Sequence, residues 1–175
     1  DMNFRLLLAL SCGILVFTGC SNVTFKEPLP QNRKNLDDFP AKWQGTWSDG
    51  ENLTVVIKPN SFHDINSPGD SLLIGTDVLI RRFHGYLVVN QIGADGNYQI
   101  VLARRWKDEV KLFSFESSDD ALAVWSEVLN TTFEARSENP LEKESYVLKP
   151  ENNLTFRQLL MKGGITLSST LTRKD

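Results

Sequence analysis

Hydrophobic positions along the chain fall into short runs separated by turn residues. Leu53-Thr54-Val55-Val56-Ile57-Lys58 reads as a strand that Pro59-Asn60 breaks. Ser67-Pro68-Gly69-Asp70 reads as a loop. Apolar, β-branched runs follow at 72–74, 77–83 and 86–92. Asp95-Gly96 is a hairpin signal, because both residues tolerate positive φ. In the run 98–106, Tyr98, Ile100, Leu102, Arg104 and Trp106 share one face, and Gln99, Val101, Ala103 and Arg105 share the other. A short Lys107-Asp108-Glu109 turn leads into another strand at 110–116. Then the period changes. Ala121, Leu122, Trp125, Val128 and Leu129 form one helical stripe. Ser118 can cap that helix, and Asp119 and Asp120 complement its positive end. The Trp125 stripe reads as core packing, with a partner groove as the alternative. A second short helix is predicted at 155–162, stopped by Gly163-Gly164. Ile165, Leu167 and Leu171 alternate with Thr166, Ser168, Thr170 and Thr172, which predicts a last strand with one wet face. The predicted fold is mainly β with one or two helices (α+β): an antiparallel β-meander, a curled sheet or a small barrel-like domain, with a helix packed on it.

The N-terminus has a different pattern. Met2-Asn3-Phe4-Arg5 carries one positive charge, and 6–18 is an apolar run of 13 residues. A spanning helix needs about 20 apolar residues, so this run is too short to cross a membrane and fits a secretory signal peptide. It ends in Phe17-Thr18-Gly19-Cys20. A cysteine after two small residues, at the end of such a run, resembles the lipobox of bacterial lipoproteins. Phe17 stands where that pattern usually has Leu. The resemblance implies that 1–19 is removed and that Cys20 becomes the first residue, carrying acyl chains. Two or more chains anchor stably where one binds marginally. Cys12 leaves with the signal, so no thiol remains for a disulfide. Ser21 is the sorting position of Gram-negative lipoproteins. Its not being Asp implies the outer membrane, with the domain facing the periplasm; in a Gram-positive cell the same signal implies the outer face of the plasma membrane. The membrane, through acyl chains on Cys20, is therefore the first expected partner.

Residues 20–41 carry Pro28, Pro30 and Pro40 among many polar residues, and predict a flexible tether. Fully extended, such a tether spans on the order of 60 Å. The globular domain is expected at 42–175.

Composition narrows the function classes. Of 175 residues, 41% are hydrophobic and the net charge is −3, ordinary for one globular domain. An acidic chain without a basic stripe gives no reason to expect nucleic acid. Two histidines and no remaining cysteine argue against a zinc site. No Gly-x-Ser-x-Gly elbow and no phosphate-binding glycine loop is present. The reading is non-enzymatic, without a cofactor. A hydrolase would require His63 or His84 to face a serine and a carboxylate in a cleft.

Candidate binding residues come from two basic motifs and one aromatic one. Arg81-Arg82-Phe83-His84 and Arg104-Arg105-Trp106 suggest a site for a carboxylate or phosphate. Adjacent strand residues point to opposite faces, so at most one arginine of each pair can contribute. Arg81, His84, Arg104 and Trp106 are the candidates. In Lys42-Trp43-Gln44-Gly45-Thr46-Trp47, the Gly45-Thr46-Trp47 triplet resembles the opening Gly-x-Trp of lipocalin-like proteins. That resemblance implies a barrel closed at one end by Trp47 against a late arginine, with Arg173 in that part, and a small apolar ligand. Without it, Trp43 and Trp47 are core aromatics of a first strand. Two functions follow. The first is a lipid-anchored envelope lipoprotein with a binding or envelope-support domain, such as an inhibitor or immunity type that engages an envelope protein through the loop 62–70. The alternative is a lipocalin-like carrier, with an apolar cavity of about 300 Å³ or more.

Overall fold

The computed structural model describes residues 23–129, 133–136 and 144–174. The segment 1–19, Cys20 and Ser21 lie outside them. The fold is mainly β with two helices, as the hydrophobic pattern predicts. Among the described residues the twelve strands are β1 (Val23–Phe25), β2 (Gly45–Ser48), β3 (Thr54–Ile57), β4 (Ser61–Asp64), β5 (Leu72–Leu73), β6 (Val78–Phe83), β7 (Tyr86–Ile92), β8 (Tyr98–Trp106), β9 (Glu109–Ser114), β10 (Phe133–Arg136), β11 (Ser145–Leu148) and β12 (Thr166–Arg173). The helices are α1 (Asp119–Leu129) and α2 (Asn153–Met161).

The strands make one curled, mixed sheet. Antiparallel pairing runs β6-β7-β8-β9-β12-β2-β3-β4-β5. The two ends of this path are consecutive in the chain, yet they meet only at one bridge, Ile74 to Val78. The sheet therefore curls without closing. A flap of β10, β11 and β1 joins at Tyr98 of β8, and β1 pairs with β11 in parallel.

Two cores result, and β8 belongs to both. Val101 and Ala103 face the inside of the curl with Trp47, Val55, Phe62 and Ile80. Ile100 and Leu102 face outward to Phe25, Val88, Trp125 and Phe156. Burial on both faces explains why Ile100-Val101-Leu102-Ala103 is an unbroken apolar run. The helices cover the outer core. Ser118 Oγ accepts from the Ala121 N–H, the expected cap. Trp125 is fully buried and donates its indole N–H to the Gly164 carbonyl at 2.8 Å. α2 starts two residues before the expected position. Asn152 is its cap, and the Asn152 side chain accepts from the Thr155 N–H at 3.0 Å.

The structure corrects the expected tether. From Val23 onward, the segment is built into the fold. Val23, Phe25, Leu29 and Phe39 are each 5% exposed or less. Asn90, fully buried in β7, accepts from the Leu29 N–H at 2.6 Å and donates to the Leu29 carbonyl at 2.8 Å. The sparse apolar residues of 23–39 are spaced as an extended strap needs, one anchor every few residues, and a count of polar residues hides this. The globular domain accordingly begins well before 42.

Two smaller differences follow from local geometry. Ser61–Asp64 is a strand rather than loop, with Phe62 buried against Phe39. In β12 a register shift lies between Leu167 and Ser169. A bulge reverses the alternation, so Leu167 is half-exposed although Leu171 is buried.

Candidate functional site

The inside of the curl holds a cavity of about 50 Å³, lined by fifteen residues. Seven strands contribute. Leu87, Val89 and Gln91 come from β7, and Gln99, Val101 and Ala103 face them from β8. β9 and β12 add Val110, Leu112 and Leu171, and β2 to β4 add Trp47, Val55, Ile57 and Phe62. Phe39 and Trp43 complete the lining. Gln91 and Gln99 are its only amide side chains. They are register partners beside the β7–β8 turn, and both are half-buried. The volume suffices for roughly four waters, at about 10–15 Å³ each. It falls short of the roughly 300 Å³ expected of a drug-sized pocket, so the lining leaves room only for something slender.

Trp47 stands at the other end of the cavity, and its surroundings are specific. Its indole N–H donates to the Trp43 carbonyl at 2.8 Å. The Arg173 guanidinium lies 5.1 Å from its ring centroid and that of Arg105 5.7 Å. Arg173 also donates to the Gln44 carbonyl. β12 brings Arg173 there because it pairs with Trp47 across the β12–β2 ladder. Cation–π contacts of this kind contribute more when desolvated, and here the ring is fully buried. Arg105 Nε is buried without a hydrogen-bond partner.

The other candidates do not form one site. β6 and β8 are not neighbours, because β7 lies between them. Arg81 therefore does not meet Arg104. It holds the strap instead, donating from Nη1 to the carbonyls of Pro28 and Pro30 and from Nε to Asn35 Oδ1, each at 2.7 Å. Burial pushes its pKa below the usual arginine value. His84 is exposed at the tip of the β6–β7 hairpin, where His84 and Gly85 both have positive φ, the geometry of a two-residue turn. Arg104 is exposed over the Tyr86 ring at 5.6 Å. Trp106 is 75% exposed. His63 sits in β4 rather than a loop, half-buried, with Nδ1 unpartnered. Of the loop expected at 62–70, Phe62 is core, and the exposed part begins at Ile65. Among the described residues, no cluster of three or more His, Cys, Asp or Glu side chains has metal-binding placement.

Sequence reasoning missed most of the cavity lining, because it converges from strands far apart in the chain. The one available signal was parity: Val101 and Ala103 share a face with Gln99 and Arg105. No known family, curated protein or solved structure matches this chain.

Proposed function

We propose that this chain is a lipid-anchored, non-enzymatic binding protein of the cell envelope, whose curled sheet takes a slender apolar group. The apolar cavity carries the binding reading. Thirteen of its fifteen lining residues are apolar or aromatic, with no charge among them. Burying an alkyl group there gains roughly 0.8 kcal/mol per methylene. The single bridge from Ile74, just after β5, to Val78 of β6 is the seam at which the curl can widen, since few ladder bonds are lost there. The envelope address is supported by Phe17-Thr18-Gly19-Cys20 at the end of the apolar run. Ser21 supports the outer membrane, with the domain on the periplasmic side.

A brominated short-chain alcohol tests the cavity. Its bromine quenches Trp43 and Trp47 from inside, so quenching should saturate with concentration. Ala103→Leu fills the space and should abolish the saturable part. Quenching that stays linear and identical in both proteins would sink the binding reading. For the address, Cys20→Ala should abolish palmitate labelling in a Gram-negative host. Labelling that persists would overturn it.

A further inference from the structure

Charge in the curled sheet is sorted by end. The β7–β8 turn (93–97), the β2–β3 turn (49–53) and the β4–β5 loop (65–71) share one end, by the antiparallel alternation of their strands. They carry Asp49, Glu51, Asp70 and Asp95, and no Lys or Arg. The β6–β7 and β8–β9 turns, the β3–β4 turn and the C-terminal end of β12 lie at the opposite end. Backbone bonds from Arg173 N–H to the Asp108 carbonyl and from Lys174 N–H to the Thr46 carbonyl tie that end together. Lys42, Lys58, Arg82, Arg104, Lys107 and Lys174 are all exposed there. Asp37, Asp38, Asp108 and Glu109 are the acidic residues among them, and Glu109 already faces Lys111 at 3.7 Å. A chain of net charge −3 thus presents one cationic pole.

Trp106 projects from this pole. A singly exposed hydrophobic residue is ordinary. This one is 75% exposed, ends β8 at the Lys107-Asp108 turn, and has exposed Lys107 next to it and exposed Arg104 two residues before it, on the same face of the strand. Tryptophan is favoured where one side is wet and the other apolar, as at a membrane interface. Anionic lipid headgroups attract clustered Lys and Arg.

We propose that the basic end of the curled sheet docks on an anionic lipid surface, with Trp106 entering the headgroup layer and Arg104 and Lys107 engaging phosphates. The cationic pole, with the apolar tip at its rim, fits an anionic surface that has an apolar layer beneath its charge. The proposal extends the envelope reading, and the two fail separately: attachment is read by acyl labelling of Cys20, docking by Trp106.

Trp106 is its own reporter. Trp43, Trp47 and Trp125 are each 5% exposed or less, so the tryptophan emission open to acrylamide is that of Trp106. The full chain is reconstituted in vesicles of neutral phosphatidylcholine or of phosphatidylcholine with phosphatidylglycerol. On anionic vesicles, the acrylamide-accessible emission should shift to the blue and its quenching fall at least threefold. On neutral vesicles it should stay as in detergent, and added salt should reverse the anionic effect. Trp106→Phe should remove the signal. Arg104→Glu with Lys107→Glu, both at exposed positions, should keep the near-ultraviolet circular dichroism and lose the shift. An unchanged Trp106 on anionic vesicles, or equal protection on neutral ones, would overturn the proposal. So would equal protection by soluble polyphosphate, which would assign the pole to an anionic polymer.

Discussion

Asn90 gives the sharpest test of how the strap 23–39 is held. Its amide offers one acceptor and two donors in a fixed plane. Oδ1 takes the Leu29 N–H at 2.6 Å, and Nδ2 reaches the Leu29 carbonyl at 2.8 Å and the Leu79 carbonyl at 3.2 Å. The side chain thus satisfies Leu29 as a neighbouring strand would, at a point where the strap has no strand beside it. Asn90→Leu keeps the branched shape of the side chain and replaces the amide by two bulkier methyl groups, so no cavity is opened. What it leaves is the N–H and carbonyl of Leu29, buried with the residue at 1% exposure. Each orphaned buried group costs about 1–3 kcal/mol, so the loss should be about 4 kcal/mol. That is a large part of the roughly 5–15 kcal/mol of a typical domain. Urea unfolding followed by tryptophan emission reads the total. Exchange of the Leu29 amide, compared with amides of β8, shows whether the strap alone opens. Asn90→Asp keeps the acceptor but removes the donors and faces the carbonyls of Leu29, Leu79 and Val88 with a charge, so it should be at least as damaging. A loss below about 1 kcal/mol in Asn90→Leu, with the Leu29 amide still protected, would refute the clamp.

Other expectations follow from single contacts. Arg81→Met should free the carbonyls of Pro28 and Pro30 and cost about 2 kcal/mol, allowing for a half-exposed guanidinium. Limited proteolysis should then cut within 31–38. In Gly164→Ala the new Cβ would lie 2.8 Å from the Leu159 carbonyl oxygen and 3.3 Å from the Trp125 ring. Neither backbone nor a fully buried indole gives way, so about 2–3 kcal/mol of stability should be lost in thermal or urea unfolding. Tyr146 donates its hydroxyl to Glu144 at 2.6 Å, and this bond to a carboxylate pushes its pKa up to about 12. The raised value means its stabilisation is fully present below pH 10 and is lost as pH rises from 10 towards 12. A late rise in tyrosinate absorbance, absent from Tyr146→Phe, would show it.

The strands easiest to find in the sequence were those with local partners. β7 and β8 form a hairpin across a strong turn signal, and the apolar runs at 86–92 and 98–106 match them end to end. β1, β10 and β11 were not legible. They are three or four residues long, and β1 and β11 pair in parallel across more than a hundred residues. Such pairing leaves no local period to read. β4 was hidden because only Phe62 marks its buried face in a stretch of turn-forming residues. The bulge in β12 was invisible for the same kind of reason, since parity alone put Leu167 with Leu171. For the candidate sites, the aromatic and basic residues stood out by type, but their roles needed register. Arg81 and Arg104 look alike in sequence, yet one is bound to the strap and the other is exposed. The absence of Lys and Arg from 59–80 and 83–103 was in plain view. Only the strand directions turn that gap into two ends of opposite charge.

The corrected strap also changes what acylation of Cys20 would do. Only Ser21 and Asn22 separate Cys20 from β1. Three residue steps reach about 11 Å at most, not the 60 Å of a free tether. Since β1 is fixed by its ladder to β11 and meets β8 at Tyr98, eight residues or about 26 Å from Trp106, an anchored domain would pivot near Val23 and reach the bilayer with Trp106 only when β8 lies along the surface. Confinement alone could then press some face onto lipid, and this must be separated from attraction by charge. Inserting about twenty Gly and Ser residues between Asn22 and Val23 does so. Such a linker has an end-to-end distance of about 25 Å and lowers the local concentration of the domain at the surface. If charge holds the basic end, the longer linker should leave Trp106 protected on anionic vesicles at low salt. Protection should then be lost at a lower salt concentration than with the native spacing. If protection vanishes at every salt concentration once the linker is added, the contact belongs to the short anchor and not to the cationic pole.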